Sequence, residues 1–186
     1  PAVRAFPGEG TKVPVWILGS SLFGAQLAAR LGLPYAFASH FASGDLIQAA
    51  AIYRKNFIPS AHLDAPYFMM ACNVFAADTD EEAHFHFSTL VQAFVGIITN
   101  NRGLTRRPQH GFDVPPSIAP HVQAMLQVSA VGTVDTVAER LALFYDRIQP
   151  DEIIIAKNFH DHDARLRSLA LTIEAQDRLG TLTDAA

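Results

Sequence analysis

The chain has 186 residues, 49% of them hydrophobic and 17% charged, which fits one globular domain over 1–186 with a substantial core and excludes a disordered polypeptide. The formal charge of −4 leaves no basic stripe for nucleic acid, and a single cysteine rules out an internal disulfide framework. No signal peptide opens the sequence and no apolar run reaches membrane length, so the expected setting is cytoplasmic with no membrane partner; Pro1 in place of Met points to sequence removed upstream.

In chain order, an apolar run over 13–18 predicts a first strand, which breaks at Gly19-Ser20-Ser21 and passes straight into an Ala/Leu-rich helical pattern. A strand that turns through Gly and Ser into a helix leaves backbone N–H groups unpaired at the positive end of the helix dipole, a setting suited to an anion such as phosphate. Gly19 and Gly24 have P-loop spacing, but Ala25 and Gln26 stand where that loop needs Lys and a hydroxyl. Phe23 replaces the second glycine of a nucleophile elbow, and Ser21 the second glycine of a dinucleotide fingerprint. What remains is a generic phosphate cup, or a turn in which Ser20 or Ser21 does no more than cap the helix.

Residues 35–39, introduced by Gly32-Leu33-Pro34, predict a short buried parallel strand, and 44–57 a helix with Leu46, Ala49, Ala50 and Tyr53 at helical spacing. A third strand is predicted over 67–76. The acidic run 78–82 then caps a helix with Phe85, Leu90, Ala93, Phe94 and Ile97 as its apolar stripe. Cys72 lies inside the third strand and is expected to be inert core, not a reactive thiol. Residues 99–117, bearing Arg, Pro and Gly, predict a mobile loop. A helix over 118–127, a connecting stretch over 129–133, a helix over 134–148, a fourth strand over 152–156 and a last helix over 164–179 complete the order, with no repeat.

Four strands, each trailed by helix, are (β/α) units and predict a parallel sheet with right-handed crossovers. Four strands make a small open doubly wound sheet but cannot close a (β/α)8 barrel, so pattern alone leans to the open sheet.

Trp16-Ile17-Leu18-Gly19-Ser20-Ser21, followed by Ala25-Gln26-Leu27-Ala28-Ala29 and Gly32-Leu33-Pro34-Tyr35-Ala36-Phe37-Ala38, resembles the bacterial-luciferase-like family of flavin-dependent monooxygenases. Asn73-Val74-Phe75-Ala76-Ala77-Asp78-Thr79, Val131-Gly132-Thr133 and Asp151-Glu152-Ile153-Ile154 follow in the family's order. The first block is the specific one. Members of that family are single-domain barrels of roughly twice this length. The likeness spans essentially the whole chain yet only the family's second half. It implies strands five to eight of a TIM-type barrel, a half barrel.

The resemblance further implies FMN at the C-terminal ends of the strands. Its phosphate would lie beside Gly19, on the backbone N–H groups of Ser20 and Ser21 and the Ser21 hydroxyl, with Leu18 and Ser39 near the isoalloxazine ring. The implied activity is a monooxygenase in which reduced FMN and oxygen act on a small-molecule organic substrate, reduced flavin coming from a flavin reductase or another source. Deazaflavin in place of FMN gives a reductase on the same fold, and half a barrel also allows a non-catalytic flavin-binding protein. Two unpaired strand edges imply a homo-oligomer or association with a separate N-terminal half.

Other side chains have two readings each. His40, just after the second strand, is the histidine best placed to meet a flavin or substrate, against an ordinary surface or satisfied histidine. His160-Asp161-His162-Asp163 bears metal-type groups, but a helix cap at Asp161 or Asp163 is preferred and no metal is expected. His84 and His86 stand two apart on a helix and face different sides, which disfavours a shared ion. Arg102, Arg106 and Arg107 read as a lid over an anion or, preferably, as a solvated loop.

Overall fold

The computed structural model describes residues 3, 4 and 6–183. Its elements run β1 (Ile17–Gly19), α1 (Leu22–Leu31), β2 (Tyr35–Phe37), α2 (Leu46–Asn56), β3 (Phe68–Ala76), α3 (Asp80–Ile98), α4 (Ala119–Met125), β4 (Ser129–Gly132), α5 (Val134–Ile148), β5 (Glu152–Ala156) and α6 (His162–Thr183). All strand pairs are parallel, as the alternation of strand and helix requires.

The long central strand β3 organises the sheet. β2 pairs with its first three residues, Phe68 to Met70, and β1 pairs with β2. Met69 and Met70 pair with β2 and also with Glu152 and Ile153 of β5, so β2 and β5 occupy opposite edges of β3. Asn73 likewise pairs with Ala156 and with Ser129, which places β4 on the same edge as β2, beyond the point where β2 stops. The result is an open sheet in which β1, β2, β3 and β5 lie side by side and β4 extends the upper half of β3.

Alternation along the strands divides the side chains between two faces. Phe68, Met70, Cys72, Val74 and Ala76 of β3 join Ala25, Ala28 and Ala29 of α1, Ala49, Ala50 and Tyr53 of α2, Val137 and Leu141 of α5, and Leu171 and Ala175 of α6 in one buried cluster. Four helices therefore cover one face. The small alanines of α1 let its axis come close to the sheet, while Tyr35, Tyr53 and Phe68 fill the volume between with ring centroids 5.6–6.2 Å apart. On the other face, α3 and α4 cover only the C-terminal end, where Phe75, Leu90, Phe94 and Val122 form a second cluster and Phe159 stacks on Phe75 at 4.4 Å. Leu18, 73% exposed, and Ile154, 51% exposed, lie on the uncovered part of that face.

Several expectations need correction. The first strand is confined to Ile17–Gly19; Val13 and Val15 are exposed. Its only partner among the described residues, β2, is three residues long, and Pro14 has no N–H to extend the ladder. Among the described residues there are five strands instead of four, because residues 129–132 pair with Asn73 to Ala76 as β4. The 99–117 segment contains no helix or strand, as expected, and is tied to α3: Gln92 Nε2 donates to the Arg107 carbonyl at 2.9 Å and Gln109 N donates to Ser88 Oγ at 2.7 Å. Arg102, Arg106 and Arg107 are exposed. Cys72 is fully buried, and burial pushes its thiol pKa up to about 12.

Candidate functional site

Parallel (β/α) folds place their sites at the C-terminal ends of the strands, where loops are free to vary above a rigid sheet. The segments at those ends are the 19–21 turn after β1, Ser39 and His40 after β2, Asp78 after β3, Thr133 after β4 and the 157–161 stretch after β5.

The 19–21 turn is held from below. Tyr35, buried at the start of β2, donates its hydroxyl to the Ser21 carbonyl at 3.1 Å. The same ring fills the space where a Cβ on Gly24 would come within 3.2 Å of the Tyr35 hydroxyl, so glycine at 24 lets α1 sit on Tyr35 without displacing it. This explains the Gly19–Gly24 spacing without a P-loop. Burial, reinforced by the Asp45 charge, raises the Tyr35 pKa to about 12, so the hydroxyl keeps its proton and its role as donor.

Ser21 occupies the N-cap position of α1 with extended backbone, yet its side chain makes no capping bond and is exposed. Among the described residues no hydrogen bond engages the backbone N–H of Ser20 or Ser21. No acidic side chain stands in the first turn of α1 to compete for the helix dipole. Amide donors, an unused hydroxyl and the positive helix end thus share one exposed turn.

Next to it, Ala38 N donates to the Gly19 carbonyl at 2.9 Å, which brings the end of β2 level with the cup. Ser39 is fully buried, and its hydroxyl donates to the Ala71 carbonyl at 2.5 Å and accepts from Ala71 N–H at 3.1 Å. It closes the gap on β3 where β2 ends, so its polar atom serves the sheet. Leu18 lies on the uncovered face in one cross-strand row with Ala36, Met69 and Glu152. His40 follows, with its carbonyl accepting from Asn73 Nδ2 at 2.6 Å and its ring edge-on to Phe41 at 4.7 Å. Desolvation lowers the His40 pKa.

At the far side of the sheet, Asp161 Oδ1 accepts from Ala164 N–H at 2.8 Å and caps α6; that bond holds its carboxyl below the usual range. Asp161 is thus the cap expected from its spacing. No group of three or more metal-type side chains clusters among the described residues. His84 is exposed, whereas His86 is half-buried near Phe159 and 3.9 Å from Glu82.

Two residues here escape sequence reasoning. Asn73 looks like one more residue of an apolar strand, yet it is the polar hub joining His40 to Ser129 Oγ, 3.3 Å away. Lys157 follows Ile-Ile-Ile-Ala and turns inward. It donates to Ser168 O at 3.1 Å, Ser168 Oγ at 2.8 Å and Thr172 Oγ1 at 2.7 Å. Burial lowers its pKa to about 7. Ser168 Oγ also accepts from Ala76 N–H, so α6 is bolted to the ends of both β3 and β5. The serine and threonine four apart on α6 were the only available signal.

The chain is similar to known proteins in sequence and in fold. The family model described as luciferase-like monooxygenase matches residues 1–150. The chain is 44% identical over 181 residues to a luciferase-like monooxygenase of Escherichia coli K12, covering 96% of this chain and 54% of that protein. It is 38% identical over 173 residues to YvbT of Bacillus subtilis, covering 91% of this chain and 51% of the relative. Among solved structures, apo-MsnO8 superposes with a TM-score of 0.81 at 26% identity, over 95% of this chain and 55% of that one. The chain therefore spans about half the length of the curated relatives it matches. By sequence and by fold, it belongs to the luciferase-like monooxygenase family.

Proposed function

We propose that this chain is the C-terminal half, strands five to eight, of a luciferase-like (β/α)8 barrel, and that it contributes the FMN phosphate site of a flavin-dependent monooxygenase. The observation that carries this reading is the 19–21 turn: two amides without partners and an exposed hydroxyl at a helix N-terminus, fixed from below by Tyr35. The residues fit a dianionic phosphate. The Ser20 and Ser21 amides and the Ser21 hydroxyl bind it, and Gly19 packs the turn against Tyr35 and Gly24 of α1. Leu18, Ala36 and Met69 of that row present apolar surface to the flavin ring and keep water from it, while the Ser39 hydroxyl holds the end of β2 against Ala71 of β3. When bound, reduced flavin supplies the reaction with oxygen, and a separate reductase or other donor supplies reduced flavin.

Neighbouring folds support a flavin-type cofactor. A Type II Baeyer-Villiger monooxygenase from Pseudomonas putida, 16% identical with a TM-score of 0.53, was solved in complex with FMN. A tetrahydromethanopterin reductase from Methanopyrus kandleri, 12% identical with a TM-score of 0.54, depends on coenzyme F420, which favours deazaflavin as the second reading.

FMN titration of the wild-type chain and of Ser21→Ala tests the cup. Removing a hydroxyl that donates to a charged group is expected to weaken binding by about 1.5–3 kcal/mol. Equal affinity of the two would remove Ser21 from the site. Oxygen consumption with reduced FMN separates a monooxygenase from a flavin-binding protein that has no reaction site.

A further inference from the structure

His40 Nδ1 is buried with no hydrogen-bond partner among the described residues, while the other ring nitrogen, Nε2, is not enclosed in this way. A buried polar atom left unpaired costs free energy, so its persistence at a strand end calls for a reason. The backbone that carries the ring is held in place. Asn73 Nδ2 grips the His40 carbonyl at 2.6 Å and reaches Ser129 Oγ at 3.3 Å, and Phe41 stands edge-on to the imidazole.

This placement selects one protonation state. A proton at Nδ1 would leave a buried N–H without an acceptor, in either the cation or the Nδ1–H tautomer. The neutral Nε2–H tautomer leaves only a bare lone pair inside, the less costly of the two orphans. The ring is thereby set as a donor whose N–H is on the accessible side. The register of Gly19 with Phe37 and the bond from Ala38 N–H to the Gly19 carbonyl put His40 two residues past Ala38, which is level with the base of the phosphate cup, in the segment that follows β2.

We propose that His40 is a neutral hydrogen-bond donor, through Nε2–H, to a ring carbonyl of the flavin whose phosphate lies at the 19–21 turn, with Asn73 and Ser129 as its positioning residues. This rests on the reading of that turn as a phosphate cup, and the two are separable by experiment. His40 touches the cofactor; Asn73 and Ser129 act through it.

The first test needs no ligand. Nitrogen-15 NMR of the wild-type chain is expected to show His40 as the Nε2–H tautomer, remaining neutral below pH 6.5; an Nδ1–H tautomer or an unshifted titration overturns the proposal. The second uses FMN, riboflavin and inorganic phosphate as probes. FMN and riboflavin are expected to shift the Nε2 resonance, whereas phosphate shifts only the Ser20 and Ser21 amides. His40→Phe should bind FMN and riboflavin about three- to tenfold more weakly, with His40→Gln, which retains an N–H donor, nearer wild type. The same variants should bind phosphate like wild type, which also reports that the fold survives. A shift of Nε2 by riboflavin with no amide response to phosphate would discard the cup and keep His40. An amide response with Nε2 unmoved by either flavin, or no flavin binding at all, would discard His40.

Discussion

Lys157 holds its amine between β5 and α6 with three oxygens in place of water, and that exchange couples stability to pH. Its pKa falls from 10.5 to about 7 because burial disfavours the ammonium. Between those values the unfolded chain keeps a proton that the folded chain has released, so stability rises with pH through this window and is flat below it. Above pH 9 the buried Cys72 and Tyr35, each raised to about 12, act in the opposite sense, since the unfolded chain then ionises first. Urea unfolding at pH 7 and pH 9 should therefore show a gain on the order of 1–2 kcal/mol for wild type, and Lys157→Met should abolish the gain. An unchanged slope in the variant would assign the pH dependence to another group. A single lysine after an apolar strand announces none of this. Its burial follows from where α6 crosses β5, a tertiary event. The Gly19-Ser20-Ser21 turn, by contrast, was legible at once, because the strand, turn and helix that make it are contiguous in the chain.

Helix starts show the same division. Thr79 caps α3 by accepting from Glu82 N–H at 3.1 Å, and the acidic run after it fits the helix dipole; both are local and readable. The start of α5 also depends on a residue far away. Asp80 Oδ1 accepts from Thr133 N–H at 2.8 Å and from Thr136 Oγ1 at 3.1 Å, and Gly132, at φ +146°, leaves room for that carboxylate beside the backbone. Asp80→Ala is expected to cost about 1 kcal/mol, read as a lower urea midpoint with the m-value unchanged. A wild-type midpoint would show that water replaces Asp80 without loss. The two misjudged strands have one cause between them. β1 is limited to Ile17–Gly19 because β2 offers only three residues to pair with, and β4 exists because β3 outruns β2 and exposes Asn73 to Ala76 to a new partner. Strand length is a property of the pair, which neither apolar run reveals by itself.

At the scale of the whole molecule, the sheet ends at β1 and β5, each paired on one edge only among the described residues. Unpaired parallel edges next to an apolar face bearing Leu18 and Ile154 favour association. Light scattering coupled to size-exclusion chromatography is expected to find the chain self-associated, or captured by a co-expressed N-terminal half of the barrel. A stable monomer indifferent to that half would refute the half-barrel reading. The alternation of apolar runs and helical stripes settled the class of fold from sequence alone, because a parallel sheet demands a crossover helix between each pair of strands. The first motif block likewise settled the family. The sheet's open form, the face left bare, the hub at Asn73 and the inward turn of Lys157 were decided only in three dimensions. Each depends on which residues lie opposite one another across strands far apart in the chain, and side-chain type at a single position carries no record of its distant partner.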